Sequence, residues 1–345
     1  MKLSQLTEDI NIVRLEADPE LEVSGISYDS RKVKRGDAFV AISGFETDGY
    51  KYIPSAIANG AAVIICDRAP QEDIPYVLVE DCRYALAIMS KNYFGAPAES
   101  MKVIGITGTN GKTTTTYLLK HLLEHTLGAK VGLVGTNGNM IGDEFIHTER
   151  TTPESFELQQ LFREMADAGC THVVMEVSSH SLVLNRVAGI RFAVGAFTNL
   201  TQDHLDFHHT MQAYAEAKAK LFGVCSVGCV NVDDAWSGVM TKDAKCDLLR
   251  YSADGNDAEL TAKNIKFMPS AVEFRAQFKG ESADVRLAIP GKFSVYNALN
   301  TIAIGLALGI SLADCAEAMS SAHGVMGRME VVPTDGDYTI LIDYA

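Results

Sequence analysis

The sequence predicts an α/β protein in two parts: an N-terminal α/β segment, then a mainly parallel sheet of phosphate-loop type with helices on both faces and a small antiparallel insertion. Three observations predict it. Apolar runs of strand length alternate with helix-length segments along the middle of the chain, the pattern of a parallel sheet covered by helices. One such strand, ending at Ile106, leads through Gly105-Ile106-Thr107-Gly108-Thr109-Asn110-Gly111-Lys112-Thr113-Thr114 into a helix. Residues 259–290 then change to period-two patterning, as in Ala271-Val272-Glu273-Phe274-Arg275-Ala276-Gln277-Phe278, which reads as short antiparallel strands.

Taken in order, Ala38-Phe39-Val40-Ala41-Ile42 and Ala61-Ala62-Val63-Ile64-Ile65-Cys66 are continuous apolar runs typical of buried strands. Between them 52–59 reads as a helix stopped by Gly60, and beyond them Val77-Leu78-Val79 is a strand and 83–93 a helix. Gly95-Ala96-Pro97 breaks the pattern and sets a boundary. Strands at 103–106, 131–134, 172–177, 192–198 and 229–231 then alternate with helices at 115–125, 156–168 and 211–222. Apolar helices follow at 295–308 and 312–320. The last residues, Tyr338-Thr339-Ile340-Leu341-Ile342-Asp343-Tyr344-Ala345, form a strand pattern with no element after it. A strand needs partners, so the polypeptide reads as a fragment, with domains at 1–97 and 98–330 and the first strand of a further domain at 331–345.

Apolar residues make up 47% of the 345 and charged residues 21%, which suits packed cores and excludes a disordered chain. The net charge of −14 argues against a nucleic-acid surface. An anionic ligand must therefore be held by a local focus of N–H groups, lysine and cation. No leader-like segment opens the chain, and no run approaches the ~18–20 apolar residues of a membrane span; the expectation is a cytoplasmic protein without membrane insertion. Seven cysteines without paired motifs suggest reduced thiols. Cys225-x3-Cys229 reads as buried small residues rather than half a zinc site.

The glycine-rich turn carries the chemistry. It aims backbone N–H groups inward and sets an anion at the positive end of a helix dipole. Lys112 would reach the β/γ-phosphates and Thr113 would put its hydroxyl on Mg²⁺. The strict pattern has Gly where Ile106 stands, so this is a variant loop. Glycines that merely turn a corner would explain Gly108 and Gly111, but not the Lys-Thr that follows. His172-Val173-Val174-Met175-Glu176-Val177-Ser178-Ser179-His180 is a strand ending in a carboxylate, at the sheet edge where ligands of such folds sit; Glu176 there suits Mg²⁺. Thr198-Asn199-Leu200-Thr201-Gln202-Asp203-His204-Leu205-Asp206-Phe207-His208 gathers His and Asp at the same edge, either as a site or as a loop with Asp203 capping the next helix. By spacing alone Lys218 and Lys220 lie on a solvated amphipathic face. Asn297 could read a base or be a tolerated polar residue, and Arg328 could contact phosphate or form a surface ion pair. Ser27-Tyr28-Asp29-Ser30-Arg31 is a turn with polar caps, and Thr151-Thr152-Pro153-Glu154 a helix start with Pro just inside.

These pieces, in this order and over essentially the whole chain, resemble the Mur ligases, ATP-dependent enzymes that form amide bonds in peptidoglycan synthesis, and among them those acting on UDP-N-acetylmuramoyl dipeptide. The residues that carry the resemblance are Gly108-Thr109-Asn110-Gly111-Lys112-Thr113, Asp29-Ser30-Arg31 with Gly36-Asp37, Asp48-Gly49, Thr151-Thr152-Pro153, Glu176-Val177-Ser178-Ser179-His180, Arg186, Thr198 to Asp206, and Ile342-Asp343-Tyr344-Ala345. The resemblance implies a uridine-nucleotide domain, a central ATPase domain and a C-terminal amino-acid domain, the last absent from this chain. It implies that Ser30 contacts the uridine nucleotide and that Thr151, Thr152, Ser178 and Arg186 hold the muramoyl peptide. Gly108, Thr109, Asn110, Gly111, Lys112, Thr113 and Thr114 would wrap the ATP phosphates, with Asn297, Arg328 and Asp343 around adenosine and phosphates. Lys112, Glu176, His204 and Lys218 would be catalytic. Thr113 and Glu176 would serve one Mg²⁺ and His204 a second, with Lys218 a metal ligand once carbamylated. The implied partners are UDP-MurNAc-L-Ala-D-Glu, ATP and an amino acid, the implied state a monomer, and the implied roles cell-wall biogenesis, cell shape and cell division. Ser294, Tyr50 and Leu184 depart from the family pattern. A folylpolyglutamate synthetase, a non-catalytic nucleotide-sugar-binding fragment and a phosphate-loop kinase or GTPase are the competing readings.

Overall fold

The computed structural model describes residues 1–44, 47–332, 338 and 340–344. They form two compact units. The first comprises Met1–Ser100, Pro153–Ala166 and Val183–Ile190, and the second Met101–Thr152, Asp167–Leu182 and Arg191–Ala345.

In the first unit five strands order as Ile12–Glu16, Tyr76–Val79, Val63–Cys66, Ala38–Val40 and Ile26–Ser27. All neighbours are parallel except the first pair. The apolar run predicted at 61–66 is buried on both faces because its side chains alternate. Val63 and Ile65 pack with Leu3, Leu86 and Met89, while Ile64 and Cys66 pack with Phe39, Ile53 and Ala56. The helix Cys82–Tyr93 starts where Asp81 accepts from the backbone N–H groups of Arg83 and Tyr84 at 2.8 and 3.0 Å, a cap that contributes about 1 kcal/mol.

The second unit is built on an eleven-stranded sheet. Its centre is six parallel strands in the order Asp247–Ser252, Cys225–Asn231, Phe192–Phe197, Lys102–Thr107, His172–Glu176 and Val131–Gly135. The predicted antiparallel region is Leu260–Met268, Ala271–Phe278 and Glu281–Leu287, continuous with the parallel sheet rather than set apart from it. At the opposite edge Gly138–Ile141 and Glu144–Ile146 add a second antiparallel extension, which the sequence reading did not anticipate.

One face of this sheet packs against Lys112–Leu127, Lys292–Ala307 and Leu312–Ser321. On the other face the turn Lys220–Gly223 seats Leu221 against Gly195 and Phe222 against Gly228. The phosphate-loop helix Lys112–Leu127 opens with four threonines, each about 0.5 kcal/mol worse than Ala in a helix. Leu118, Leu119, Leu122 and Leu123 are fully buried at about 1.5–3 kcal/mol each, so tertiary packing decides the helix.

Two readings of the sequence change here. The predicted helix 211–222 is Met211–Ala219 followed by a 3-10 turn at Lys220–Gly223. The strand pattern at 338–345 finds a partner within the chain, since Ile340–Ile342 pairs antiparallel with Glu330–Val332; Thr339 and Ala345 lie outside the described residues.

Candidate active site

The carboxyl ends of the central parallel strands bring the predicted groups of the second unit together. Gly108, at φ +144°, and Gly111, at φ +84°, let the chain turn from Thr107 into the helix at Lys112. A Cβ on Gly111 would lie 2.4 Å from Asn297 Oδ1, so Asn297, one turn into its own helix, sits against the loop. Strand Phe192–Phe197 delivers the segment that clamps the loop from the side. The Thr198 hydroxyl donates to the Asn110 carbonyl at 2.7 Å, and Asn199 takes the backbone N–H groups of Thr109 (2.8 Å) and Asn110 (3.0 Å) on its main-chain and side-chain oxygens.

Lys112 Nζ donates to the carbonyls of Gly108 and Thr109 at 3.0 and 2.8 Å. Lys218 Nζ donates to the same Gly108 carbonyl at 2.8 Å and stands 4.5 Å from the centre of the Tyr214 ring. Burial pushes the Lys112 ammonium below its ordinary value, partly opposed by the charge of Glu176. Burial pushes Lys218 down well further, and the charge of Lys112 adds to the effect. Lys218 is 1% exposed, which corrects the solvated face read from spacing. Its helix turns Tyr214, Ala215, Ala217 and Lys218 inward, and of the two lysines Lys220 is the exposed one.

Glu176 is buried at the end of its strand. Its Oε1 accepts from the Thr113 hydroxyl and from the Thr136 N–H, both at 2.9 Å, and its Oε2 from the Thr136 hydroxyl at 3.1 Å. Gly135 is the residue that leaves room, since a Cβ there would meet Glu176 Oε1 at 2.6 Å. Thr113 and Glu176 thus set two hard oxygen donors side by side at a helix N-terminus, chemistry that fits Mg²⁺. The Thr151 hydroxyl lies 3.0 Å from that of Thr136. The Thr152 hydroxyl donates to the Glu176 carbonyl at 2.8 Å and accepts from the Ser178 N–H at 3.2 Å. The helix after this segment starts at Ser155, so Pro153 precedes it instead of lying inside it.

His204, not Asp203, is the N-cap of Leu205–His208; it sits at φ +51°, with its N–H donating to Asp203 Oδ1 at 2.8 Å. A left-handed residue redirects the chain here in place of a side-chain cap. The His204 ring stands edge-on to His180 at 4.9 Å. His208, hydrogen-bonded to the Ser179 hydroxyl at 2.8 Å and stacked on Tyr214 at 4.9 Å, is pushed down to about 4 by burial and by the charges of His180 and Lys218. Among the described residues no three His, Cys, Asp or Glu side chains converge as a metal cluster. Cys225 and Cys229 are buried free thiols, as the sequence suggested.

A cavity of about 550 Å³ opens beside the loop, walled by Gly111, Thr114, Tyr251, Phe293, Tyr296, Asn297, Arg328 and Asp343. Arg328 Nη1 donates to the Tyr344 carbonyl at 3.0 Å, while its Nε has no hydrogen-bond partner. Asp343 Oδ1 accepts from the Met329 N–H at 3.2 Å. Ser294, the departure noted above, is buried and spends its hydroxyl on the Pro290 carbonyl at 2.8 Å. Sequence reasoning missed Thr136, Tyr214 and Tyr296. Tyr214 was findable, as the residue one helical turn before Lys218.

Ser30 and Arg186 belong to the first unit. Ser30 is buried in a 3-10 turn capped by Asp29. The bidentate Arg31 guanidinium holds the Asp29 carboxyl down at about 2. Arg186 pairs with Glu154 at 2.8 Å. Tyr50, where the family pattern differs, donates its hydroxyl to the Ala69 carbonyl and lies under Arg68.

A variant phosphate loop facing a strand-end carboxylate, on a parallel sheet with a nucleoside-sized cavity beside it, defines a nucleotide-dependent enzyme of the phosphate-loop class. Residues 106–305 match the Mur ligase middle domain and residues 22–99 the Mur ligase family catalytic domain. The chain therefore belongs to the Mur ligase family, whose members are ATP-dependent ligases of peptidoglycan synthesis. It is 47% identical to the UDP-N-acetylmuramoyl-L-alanyl-D-glutamate–2,6-diaminopimelate ligase of Clostridium botulinum, over 94% of this chain and 68% of that protein. It is also 47% identical to the ligase of the same name from Caldanaerobacter subterraneus, over 96% and 69%. A solved structure of a ligase with that name superposes with a TM-score of 0.86 at 28% identity, covering 97% of this chain and 69% of that one. No helix among the described residues is long and apolar enough to cross a membrane.

Proposed function

We propose that this chain carries the phosphoryl-transfer machinery of an ATP-dependent ligase that adds the third amino acid to UDP-MurNAc-L-Ala-D-Glu. The observation that carries the reading is the convergence of Lys112 and Lys218 on the Gly108 carbonyl, beside the Thr113–Glu176 pair. The D-Glu γ-carboxylate attacks the γ-phosphorus of ATP and ADP leaves. The amine of the incoming amino acid then attacks the acyl phosphate, and phosphate leaves. Two anions must meet in the first step, and Lys112 with the loop N–H groups offsets their repulsion. Thr113 and Glu176 would hold one Mg²⁺ and His204 a second, which would supply further charge neutralisation on the transferring phosphoryl group.

Lys218 fits a metal site only after its charge is reversed. Its depressed ammonium favours the neutral amine, which can add CO₂ and release a proton to give an anionic carbamate. Gly108 to Thr114 wrap the phosphates, and Asn297, Arg328 and Asp343 line the adenosine side. Ser30 faces the uridine nucleotide, and Thr151, Thr152, Ser178 and Arg186 hold the muramoyl peptide. The relatives' names make diaminopimelate the first amine to test. The protein works as a monomer in the cytoplasm, with domains at 1–97 and 98–330.

The test is a calorimetric titration, with Mg²⁺ present, using UDP-MurNAc-L-Ala, UDP-MurNAc-L-Ala-D-Glu and the tripeptide form, followed by ATP. Tightest binding of the dipeptide form is expected. Binding of ATP without any of the three would overturn the acceptor assignment, and binding of neither would overturn the reading as a whole.

A further inference from the structure

The far end of the phosphate-loop helix carries a histidine cluster that the ligase reaction does not use. His121 and His125 lie four residues apart on Lys112–Leu127, hence on one face. Their rings stack at 5.6 Å between centroids, 22° apart. His121 Nε2 lies 2.9 Å from the hydroxyl of Ser321, the last residue of Leu312–Ser321. His323 follows on the exposed segment beyond, close enough for its charge to act on His121. The last turns of two helices meet at this point, where the negative ends of their dipoles favour a cation, and His121 also bonds the Ala318 carbonyl. Glu124, between the two histidines, is already engaged by Lys120 at 2.6 Å, so no carboxylate explains the cluster.

We propose that His121 and His125 chelate a transition-metal ion of the Zn²⁺, Ni²⁺ or Cu²⁺ class, with His323 as an additional donor. Imidazoles at this helical spacing are a known way for a helix to hold such ions, and a site of imidazoles without carboxylates favours them over Mg²⁺. Because no three such side chains converge among the described residues, the two helical imidazoles are the primary ligands. His323 swings in from its exposed segment, and water completes the shell. The bound ion ties the end of the phosphate-loop helix to Leu312–Ser321 and stabilises the folded state by mass action.

The whole chain is titrated with Ni²⁺ in excess Mg²⁺ by calorimetry. One equivalent is expected, and His125→Gln should weaken it by about tenfold or more, since even outer-shell changes at metal sites cost that much. His204→Gln and Cys246→Ser should leave it unchanged. Pulsed EPR of the Cu²⁺ form should show two or more coupled imidazoles, one fewer in His125→Gln. No Ni²⁺ uptake, uptake indifferent to His125→Gln, or uptake lost with His204 or Cys246 would each overturn the proposal. Circular dichroism of metal-free His125→Gln, expected to match the parent, separates lost ligation from lost folding.

Discussion

Two regions reach the same carbonyl oxygen by opposite routes. Lys112 comes to Gly108 from four residues away, carried by the turn that Gly108 and Gly111 make. Lys218 comes to it across 110 residues of chain, on a helix held by the packing of Tyr214, Ala215 and Ala217. The first arrangement is local and written in one motif. The second exists only when the sheet is assembled, and its side chain is the more deeply buried of the two. A candidate phosphate site can thus be half encoded by a loop and half by a fold, and its two lysines should respond differently to mutation and to pH.

The largest expected effect is on the local half. Lys112→Ala should lower ATP-dependent turnover by roughly 10²–10³-fold, the range found for losing one preorganised charge-stabilising donor, while leaving the melting temperature nearly unchanged. A comparable loss of melting temperature would mean that Lys112 holds the loop together instead of serving a ligand. Next comes Gly111→Ala, which combines a left-handed φ of +84° with a Cβ 2.4 Å from Asn297 Oδ1 and should cost about 1–3 kcal/mol by denaturant melts. Gly128→Ala, at the other end of the same helix with φ +58° and open space around it, should cost about 1 kcal/mol. Equal costs would show that backbone conformation alone matters at position 111.

The distal half is probed through protons. The Lys218 ammonium is depressed in the folded state by burial and by Lys112, so between its folded value and the ordinary lysine value near 10.5 the unfolded chain binds the proton and the native chain does not. Stability contributed by this group therefore rises with pH across that window and is withheld below it. Lys218→Met removes the penalty. Relative to the parent, the variant should be most stabilised at the low-pH end of that window, and the advantage should shrink as pH rises towards 10.5. A pH-independent difference in melting temperature would show that Lys218 keeps its ordinary proton affinity.

What could be read beforehand follows the same division. Buried parallel strands announce themselves as apolar runs, and every one predicted in the central sheet is present, within two residues at most ends and from Cys225 in the case of 229–231. The strand Asp247–Ser252 was not legible because its first half is exposed and its pattern does not alternate. Gly138–Ile141 and Glu144–Ile146 are too short and too polar to stand out from a loop. The phosphate loop was legible since its glycines and lysine are sequence neighbours. Lys218 was legible only through the family resemblance, because an Ala-rich helix with Lys at both 218 and 220 does not reveal which face will be buried. Thr136 illustrates the remainder: its value lies in meeting Glu176, forty residues away, and no spacing rule encodes that meeting.

The smallest predicted effect tests the wall between the two regions. His208 bonds Ser179 and stacks on Tyr214, the residue under Lys218, and its proton affinity is pushed from about 6.5 to about 4, chiefly by burial and then by His180 and Lys218. Between these values the unfolded chain takes up a proton that the native chain refuses, so the stability this site gives is full above about pH 6.5 and is lost as pH falls towards 4. His208→Asn keeps a partner for Ser179 but cannot titrate. Its melting temperature should fall less steeply than the parent's between pH 6.5 and 4, by roughly 2–4 °C over the window. Parallel curves would mean that His208 protonates in place, with Tyr214 and Ser179 yielding to it. The stacking that seats Tyr214 beneath Lys218 would then be loose, and the distal half of the site would owe its position to the sheet alone.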